Sequence, residues 1–232
     1  MEFDLHCHSY HSFHSRSNPR RIVETARRRG LRGIAVTDHS TCAGAMEAMP
    51  YGDADCFVIP GFEKWTTAGD ILGLFMTECP KSSDPVEVCR FIRERGGISI
   101  LPHPFTSHLG ISPELTAELD GIEGYNARHT AIRRLDDPKG ESRVSKFAEA
   151  HDLTLVASSD AHSLEEIGGA RTVMPAETPE EVREALMKGN TVLTGRRAPR
   201  IYYFASFVRG LPHKLAQRLF PSGDEPKHKY EA

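Results

Sequence analysis

Short apolar runs alternate with amphipathic stretches along most of this chain. Residues 33–37 (GIAVT) and 153–160 (LTLVASSD) contain continuous apolar runs, which are typical of strands buried on both faces of a parallel sheet. Residues 65–75 (WTTAGDILGLF) predict a strand pair that turns at Gly69-Asp70. Further strands are predicted at residues 3–6, 56–63, 98–103, 121–126 and 191–195.

Helices are predicted between most of these strands. Asn18-Pro19 provides an N-cap followed by proline at N1, and the helix that they begin ends at Gly30. Other helices are predicted at residues 84–97, 113–119, 141–151 and 178–190. Alternation of strands and helices implies a mostly parallel sheet, and about seven strands favour a closed barrel over an open sheet. The predicted fold is therefore α/β, a distorted (β/α)7 barrel.

Composition limits the class of protein. The 232 residues, 39% hydrophobic and 26% charged, suffice for one large core, and the net charge of -3 argues against a stable nucleic-acid partner. The five cysteines are scattered without a CxxC pair, so we expect reduced thiols rather than disulfides. No apolar run approaches the roughly 20 residues of a membrane span, and the N-terminus does not resemble a signal peptide. A cytoplasmic location is expected.

The chain is predicted to divide into a barrel over residues 1–198, a basic amphipathic segment over 199–220 and a disordered tail over 221–232. In the amphipathic segment, apolar residues recur at near-helical spacing from Phe204 to Leu219, with Arg209, Lys214 and Arg218 between them. Packing on the barrel, formation of a homo-oligomer and contact with an anionic membrane surface are alternatives for this segment.

Histidines and carboxylates cluster where the predicted strands end. His6 and His8 are two positions apart, so on a strand both rings point the same way and form a two-residue metal clamp. The other ionisable residues at strand ends are His39, Glu63, His103, Asp160 and His162. In a β/α barrel the carboxyl ends of the strands meet on one face, where active sites are built. A metal site is therefore predicted on that face.

Five motifs in order, DLHCHS, TDHS, GFE, LPHP and SSDAH, resemble those of the PHP (polymerase and histidinol phosphatase) superfamily of metal-dependent phosphoesterases. The resemblance covers about residues 3–195 and implies a distorted seven-stranded barrel with two or three divalent ions, zinc, manganese or iron. It implies one ion held by His6, His8, Glu63 and Asp160, a second shared between Glu63 and His103, and a third held by His14, His39 and His162.

One ligand found in some members has no histidine counterpart here. Those members supply a further ligand to the second ion from a histidine between the GFE and LPHP motifs, but no histidine occurs between His39 and His103. Asp70 lies in this interval and is predicted to serve the hairpin turn. Water or a substrate oxygen is then expected to complete the second ion's coordination.

The predicted reaction is hydrolysis of a phosphate ester by metal-activated hydroxide. The expected substrate is a phosphorylated small molecule, a nucleotide or an oligonucleotide end. Asp160, His39 and His162 are the predicted catalytic residues, and either histidine could protonate the leaving group if no third ion binds. The alternatives are an amidohydrolase-like C–N hydrolase, whose barrels usually bridge their metals through a lysine, and a catalytically silent metal-binding module.

Residues around these motifs carry weaker predictions. Arg128, beside Asn126, is the preferred phosphate-binding residue, and Arg16 and Lys64 are further candidates near strand ends. The carboxylates of Asp4 and Asp38 are candidates to orient metal-binding histidines, and buried ion pairing is the alternative. Four further histidines before the C-terminal segment, His11, His108, His129 and His151, have no predicted role in the site.

Overall fold

A computed structural model of the chain describes residues 1–104, 111–130 and 143–208. Its strands are β1 (Glu2–Asp4), β2 (Gly33–Val36), β3 (Phe57–Thr66), β4 (Gly69–Leu74), β5 (Ile98–Leu101), β6 (Gly121–Asn126), β7 (Thr154–Ser158), β8 (Ala170–Val173) and β9 (Val192–Gly195). Its helices are α1 (Pro19–Arg28), α2 (Ala43–Ala48), α3 (Pro85–Glu94), α4 (Pro113–Thr116), α5 (Ala127–Thr130), α6 (Arg143–Ala150) and α7 (Pro179–Met187), with a 3₁₀ turn at Met49–Tyr51.

The strands form one nearly closed sheet in the order β7-β6-β5-β4-β3-β2-β1-β8-β9. Strands β1, β2 and β3 are parallel, as are β5, β6 and β7, and β4 runs antiparallel between the two groups. The sheet curls until β7 meets β8, where the Thr172 hydroxyl donates to the Ala157 carbonyl and accepts from the Ala157 N–H, both at 2.9 Å. The α/β barrel prediction is therefore confirmed.

Strand β2 packs against apolar residues on both of its faces. Ala35 faces the interior, where it joins the apolar cluster that includes Phe3, Ile59 and Leu72. Its neighbours Ile34 and Val36 face outward and pack with apolar residues of α1. Both faces of the strand are thus buried, which explains its continuous apolar run. A second outer cluster packs α3 and α6 against β4, β5 and β6.

Two local predictions need correction. Strand β8 was not predicted, because its sequence ARTV is short and only every second residue is buried. The β3–β4 hairpin is confirmed, but its turn lies at Thr67-Ala68, and Asp70 pairs with Trp65 inside the ladder. The prediction that Asp70 serves the turn is wrong, since the Thr66 hydroxyl bonds to the Gly69 carbonyl and closes the turn before Asp70.

The segment that carries the His6–His8 clamp is extended but lies beyond β1. Cys7 forms an isolated parallel bridge with Ala161. The Cys7 carbonyl accepts from the Thr37 N–H, and the His8 N–H donates to the Ala161 carbonyl, both at 2.8 Å. These contacts hold the segment between the ends of β2 and β7. As on a strand, side chains two positions apart, such as His6 and His8, therefore point the same way.

Residues 200–208 are helical, and the rest of the predicted amphipathic segment and tail, 209–232, lies outside the described residues. Phe204 and Val208 are exposed, so these two side chains are not buried against the barrel. Among the residues that the structure describes, no helix is both long and apolar enough to cross a membrane.

The Thr172 hydroxyl should contribute measurably to barrel closure. Thr172→Val removes both of its hydrogen bonds to Ala157 in a fully buried place, so we expect the free energy of unfolding to fall by about 1–3 kcal/mol. Urea denaturation measures this change. Thr194→Val on exposed β9 is the matched control and should change stability by less than about 0.5 kcal/mol. Equal losses in the two variants would contradict this account of barrel closure.

Candidate metal centre

The eight predicted metal-binding side chains meet at the end of the barrel where β1, β2, β5 and β7 finish, and Glu63 reaches them from within β3. They are His6, His8, His14, His39, Glu63, His103, Asp160 and His162, of which only His14 and His39 are more than marginally exposed. They form three adjoining groups of nitrogen and oxygen atoms.

The first group joins the histidine clamp to two carboxylates. The Nε2 atoms of His6 and His8 are 3.0 Å apart. Glu63 Oε2 lies 3.5 and 3.4 Å from these two nitrogens, and Asp160 Oδ1 lies 3.8 and 3.5 Å from them. Two ligands of a tetrahedral ion, each about 2.1 Å from it, are about 3.4 Å apart. The four side chains therefore fit one divalent ion.

Glu63 connects this first group to the second. Its Oε1 lies 3.0 Å from His103 Nε2, while its Oε2 faces the clamp. Asp70 is buried nearby on β4, and burial together with the negative charge of Glu63 raises the pKa of Asp70 to about 7. A carboxyl group that sequence analysis assigned to the turn thus belongs to the surroundings of the second group.

The third group contains three imidazoles. His14 Nε2 lies 3.2 Å from His39 Nε2 and 2.9 Å from His162 Nε2. Ligand atoms of His39 and His162 also lie within 4.8 Å of one another and of His8, so the rings of this group could share a cation. His39 also reaches Glu63, with 2.9 Å between Nδ1 and Oε2, so the third group adjoins the first.

Hydrogen bonds at Nδ1 leave the Nε2 atoms of three histidines available. His6 Nδ1 contacts Glu123 Oε1 at 3.0 Å, His8 Nδ1 contacts the Ser12 hydroxyl at 3.1 Å, and His162 Nδ1 contacts the Asp160 carbonyl at 2.9 Å. With the proton assigned to Nδ1 in each ring, every Nε2 presents a lone pair to its group. The tautomers therefore suit metal ligation.

The electrostatics of the site divide its histidines into two kinds. Burial lowers the pKa of His8, and burial lowers the pKa of His162 much further, so both rings are neutral at neutral pH. Burial opposes ionisation of Glu63 and Asp160, but the surrounding histidines, His6 first, hold the pKa of each carboxyl well below its usual value. Although burial opposes it, the neighbouring carboxylates raise the pKa of His6 well above its usual value and that of His103 to about 9. Neutral imidazoles and ionised carboxylates are the forms that bind divalent metals, so His6 and His103 would release their protons when an ion binds.

Two ligand residues have backbone conformations that non-glycine residues rarely adopt. His103 has φ 30° and Asp160 has φ 54°, and each residue comes just after a strand. Such strain is seen mainly where the surrounding structure enforces it at a functional site. These turns therefore support a functional role for the two side chains.

Glu123 on β6 is a buried carboxylate that sequence analysis missed. Its Oε1 meets His6, and its Oε2 accepts from the His103 N–H at 2.7 Å and from the Asn126 amide at 2.8 Å. It thereby links ligands of the first and second groups. Glu123 lies in the predicted strand 121–126. The β6–β7 register shifts between Glu123 and Tyr125, so the regular alternation of side chains along a strand does not predict which way Glu123 points.

Of the two carboxylates predicted to orient histidines, Asp38 does so through another residue and Asp4 has other partners. Asp38 accepts from the Ser12 hydroxyl at 2.6 Å, so it acts on His8 through Ser12. Asp4 instead accepts from the Ser159 hydroxyl at 2.6 Å and from the Gly168 N–H at 2.7 Å. It secures the loop that carries Asp160, and the prediction that it orients a histidine directly is wrong.

The predicted substrate-binding residues lie in contrasting places. Arg128 is buried and paired with Glu166 at 2.6 Å. Asn126 is buried, with its amide directed at Glu123 and its carbonyl accepting from two backbone N–H groups of α5. Arg16 is exposed and Lys64 is half-buried. Their roles in substrate binding stay predictions.

Two histidines without a predicted role have different surroundings. His11 is a surface residue that pairs with Glu47 at 3.0 Å. His129 of α5 instead lies at the site, with its Nε2 3.3 Å from Asp160 Oδ2 and its ring stacked on His103. His129 follows soon after β6, much as the other site residues follow their strands. This position in the sequence could have indicated that it lies at the site. His151 is exposed, and His108 lies outside the described residues.

The barrel and its cluster of buried imidazoles and carboxylates define a metal-dependent hydrolase. The sequence matches the PHP domain over residues 4–78 and the PHP-associated domain over residues 142–191. It is also 34% identical over 143 residues to an uncharacterized protein of Methanocaldococcus jannaschii, a match that covers 56% of this chain and 84% of the relative. The chain belongs to the PHP family.

Solved structures share the fold at low sequence identity. One is a two-domain protein from Bacteroides vulgatus containing a predicted PHP-like metal-dependent phosphoesterase, with a TM-score of 0.67 and 19% identity over 90% of this chain and 69% of that one. Another is an amidohydrolase from Chromobacterium violaceum with bound sulfate and no metal, with a TM-score of 0.59 and 17% identity over 82% of this chain and 97% of that one.

Glu123 should control metal affinity without being a ligand. Glu123→Gln removes the charge opposite His6 and places an amide where a carboxylate accepts hydrogen bonds, so we expect metal affinity to fall about 10–100-fold. Calorimetric titration of metal-stripped protein with Mn²⁺ measures the loss. Glu118→Gln, which removes a surface partner of Arg90, is the control and should bind like the wild type. Unchanged affinity in Glu123→Gln would refute the orienting role.

Proposed function

We propose that this protein hydrolyses phosphate esters with two or three divalent ions, zinc, manganese or iron. The substrate is a phosphorylated small molecule, a nucleotide or an oligonucleotide end. The observation that carries this proposal is Glu63, which presents Oε2 to the His6–His8 clamp and Oε1 to His103. A carboxylate shared in this way suits two neighbouring ions, the arrangement that serves displacement at phosphorus.

The chain's own residues would hold the ions and the substrate's charge. His6, His8 and Asp160 would bind the first ion, His103 the second, and His14, His39 and His162 the third, with Glu63 between the first two. When bound, such ions lower the pKa of a water toward about 7 and stabilise the charge on phosphate oxygens. Asp4 and Glu123 keep the ligands in place through the hydrogen bonds described above.

His39 is the better placed of two histidines to deliver a proton to the leaving group. Its side chain is 12% exposed at the mouth and lies 4.9 Å from the Trp65 ring, measured between ring centroids. His162 is buried, and burial holds its pKa well below the usual value, which favours a ligand role. We therefore assign the proton to His39 Nε2 where the third ion is absent, and ligation to His162.

A hydrolase of C–N bonds is the second candidate, because one structural neighbour is an amidohydrolase. The lysine that commonly bridges metals in such barrels is not matched by Lys64. That residue follows Glu63 on β3, and successive side chains on a strand point to opposite faces of the sheet. Glu63 takes the bridging place instead, which supports the phosphoesterase.

Activity assays can separate these functions and the catalytically silent module. Stripped protein reloaded with Mn²⁺, Zn²⁺ or Fe²⁺ would be offered phosphomonoesters, phosphodiesters, short RNA and amides. We expect phosphate release with at least one ester, and loss of at least about 100-fold in Asp160→Asn. Asp152→Asn, at an exposed loop position, is the matched control. Hydrolysis of amides alone, or no turnover at full metal occupancy, would refute the proposal.

A further inference from the structure

We propose that His129 is a metal ligand that completes the second ion's site together with His103, Glu63 and Asp160. This inference rests on the proposed metal-dependent function and adds a residue that the motif pattern does not include. Ligand atoms of His103, His129 and Asp160 all lie within 4.8 Å of one another.

Asp160, like Glu63, faces two groups at once. Its Oδ1 lies 3.5 Å from His8 Nε2, whereas its Oδ2 lies 3.3 Å from His129 Nε2. Glu63 likewise gives Oε2 to the clamp and Oε1 to His103. Two carboxylates therefore present one oxygen each to the first group and one oxygen each toward the two histidines. Together they would bridge two neighbouring ions.

His129 is held in this place by the fold. The side-chain oxygen Oδ1 of Asn126, the last residue of β6, accepts from the His129 N–H at 2.9 Å. The His129 ring stacks on the His103 ring with a centroid distance of 4.3 Å and an angle of 27°. The His129 side chain is 28% exposed, so it lies at the mouth rather than in the interior. A ligand there would still leave the second ion accessible to substrate.

His129 would supply the ligand to the second ion that the sequence between Glu63 and His103 lacks. No histidine between Glu63 and His103 is available to the second ion. His129 adds an imidazole from the next strand end, β6, on the side of His103 that faces Asp160. The alternative role is a hydrogen bond from His129 to Asp160 alone, and the two roles require different chemistry at position 129.

Two substitutions distinguish ligation from hydrogen bonding. His129→Gln keeps an amide that can donate to Asp160 but is a poor metal ligand, whereas His129→Asp can ligate but cannot donate. Metal-stripped full-length protein would be titrated with Co²⁺, and bound equivalents, affinity and the visible cobalt spectrum would be recorded. His151→Gln, the same change at an exposed histidine, is the control.

We expect His129→Gln to lose one equivalent of Co²⁺, or to bind one equivalent more than tenfold more weakly, with a changed visible spectrum. His129→Asp should retain the equivalent. Wild-type stoichiometry, affinity and spectrum in His129→Gln would overturn the inference while leaving the proposed function intact. A wild-type chain that binds no Co²⁺ would overturn the proposed function itself, and the inference with it.

Discussion

The burial of two carboxylates, Glu63 and Asp160, is the constraint on which the site depends. A buried ionised carboxylate is costly unless it is paired and hydrogen-bonded, and one unpaired charge would destabilise the fold. Here both carboxylates lie among imidazoles, and the charge of His6 keeps them ionised. The same arrangement suits a cation, which would replace the positive charge of His6 once that ring has released its proton and become a ligand. Stability and metal binding therefore depend on the same residues.

A second layer of acceptors holds these groups in register. Glu123 joins His6 to the backbone of His103, Asp38 acts on His8 through Ser12, and Asp4 secures the loop after β7. These acceptors are part of the barrel, since Asp4 ends β1, Asp38 follows β2 and Glu123 lies on β6. Ligands on strand ends are held more rigidly than ligands on long loops, which suits a site whose atoms must converge within a few ångströms.

Much of the fold could be predicted from the sequence, because its signals are local. The apolar run of β2 reports burial on both faces, and Asn18-Pro19 marks the start of α1. Strand β8 could not be found this way, since its stability comes from pairing with β1 and from the Thr172 contacts with β7. The hairpin was predicted but its turn was misplaced by two residues, which moved Asp70 from the turn to the buried ladder.

The sequence by itself determined that histidines and carboxylates stand at the ends of successive strands, because strand periodicity and strand ends are local properties. It therefore indicated seven of the eight residues that meet at the mouth, and the eighth, His14, came from the resemblance to the PHP motifs. Only the tertiary structure decided which oxygen of Glu63 and Asp160 faces which group, and that Glu123 and His129 join them. These relations depend on the irregular register of β6 and on the closure of the barrel, which bring together side chains from distant strands. Distances across a closed sheet are not encoded by spacing along the chain.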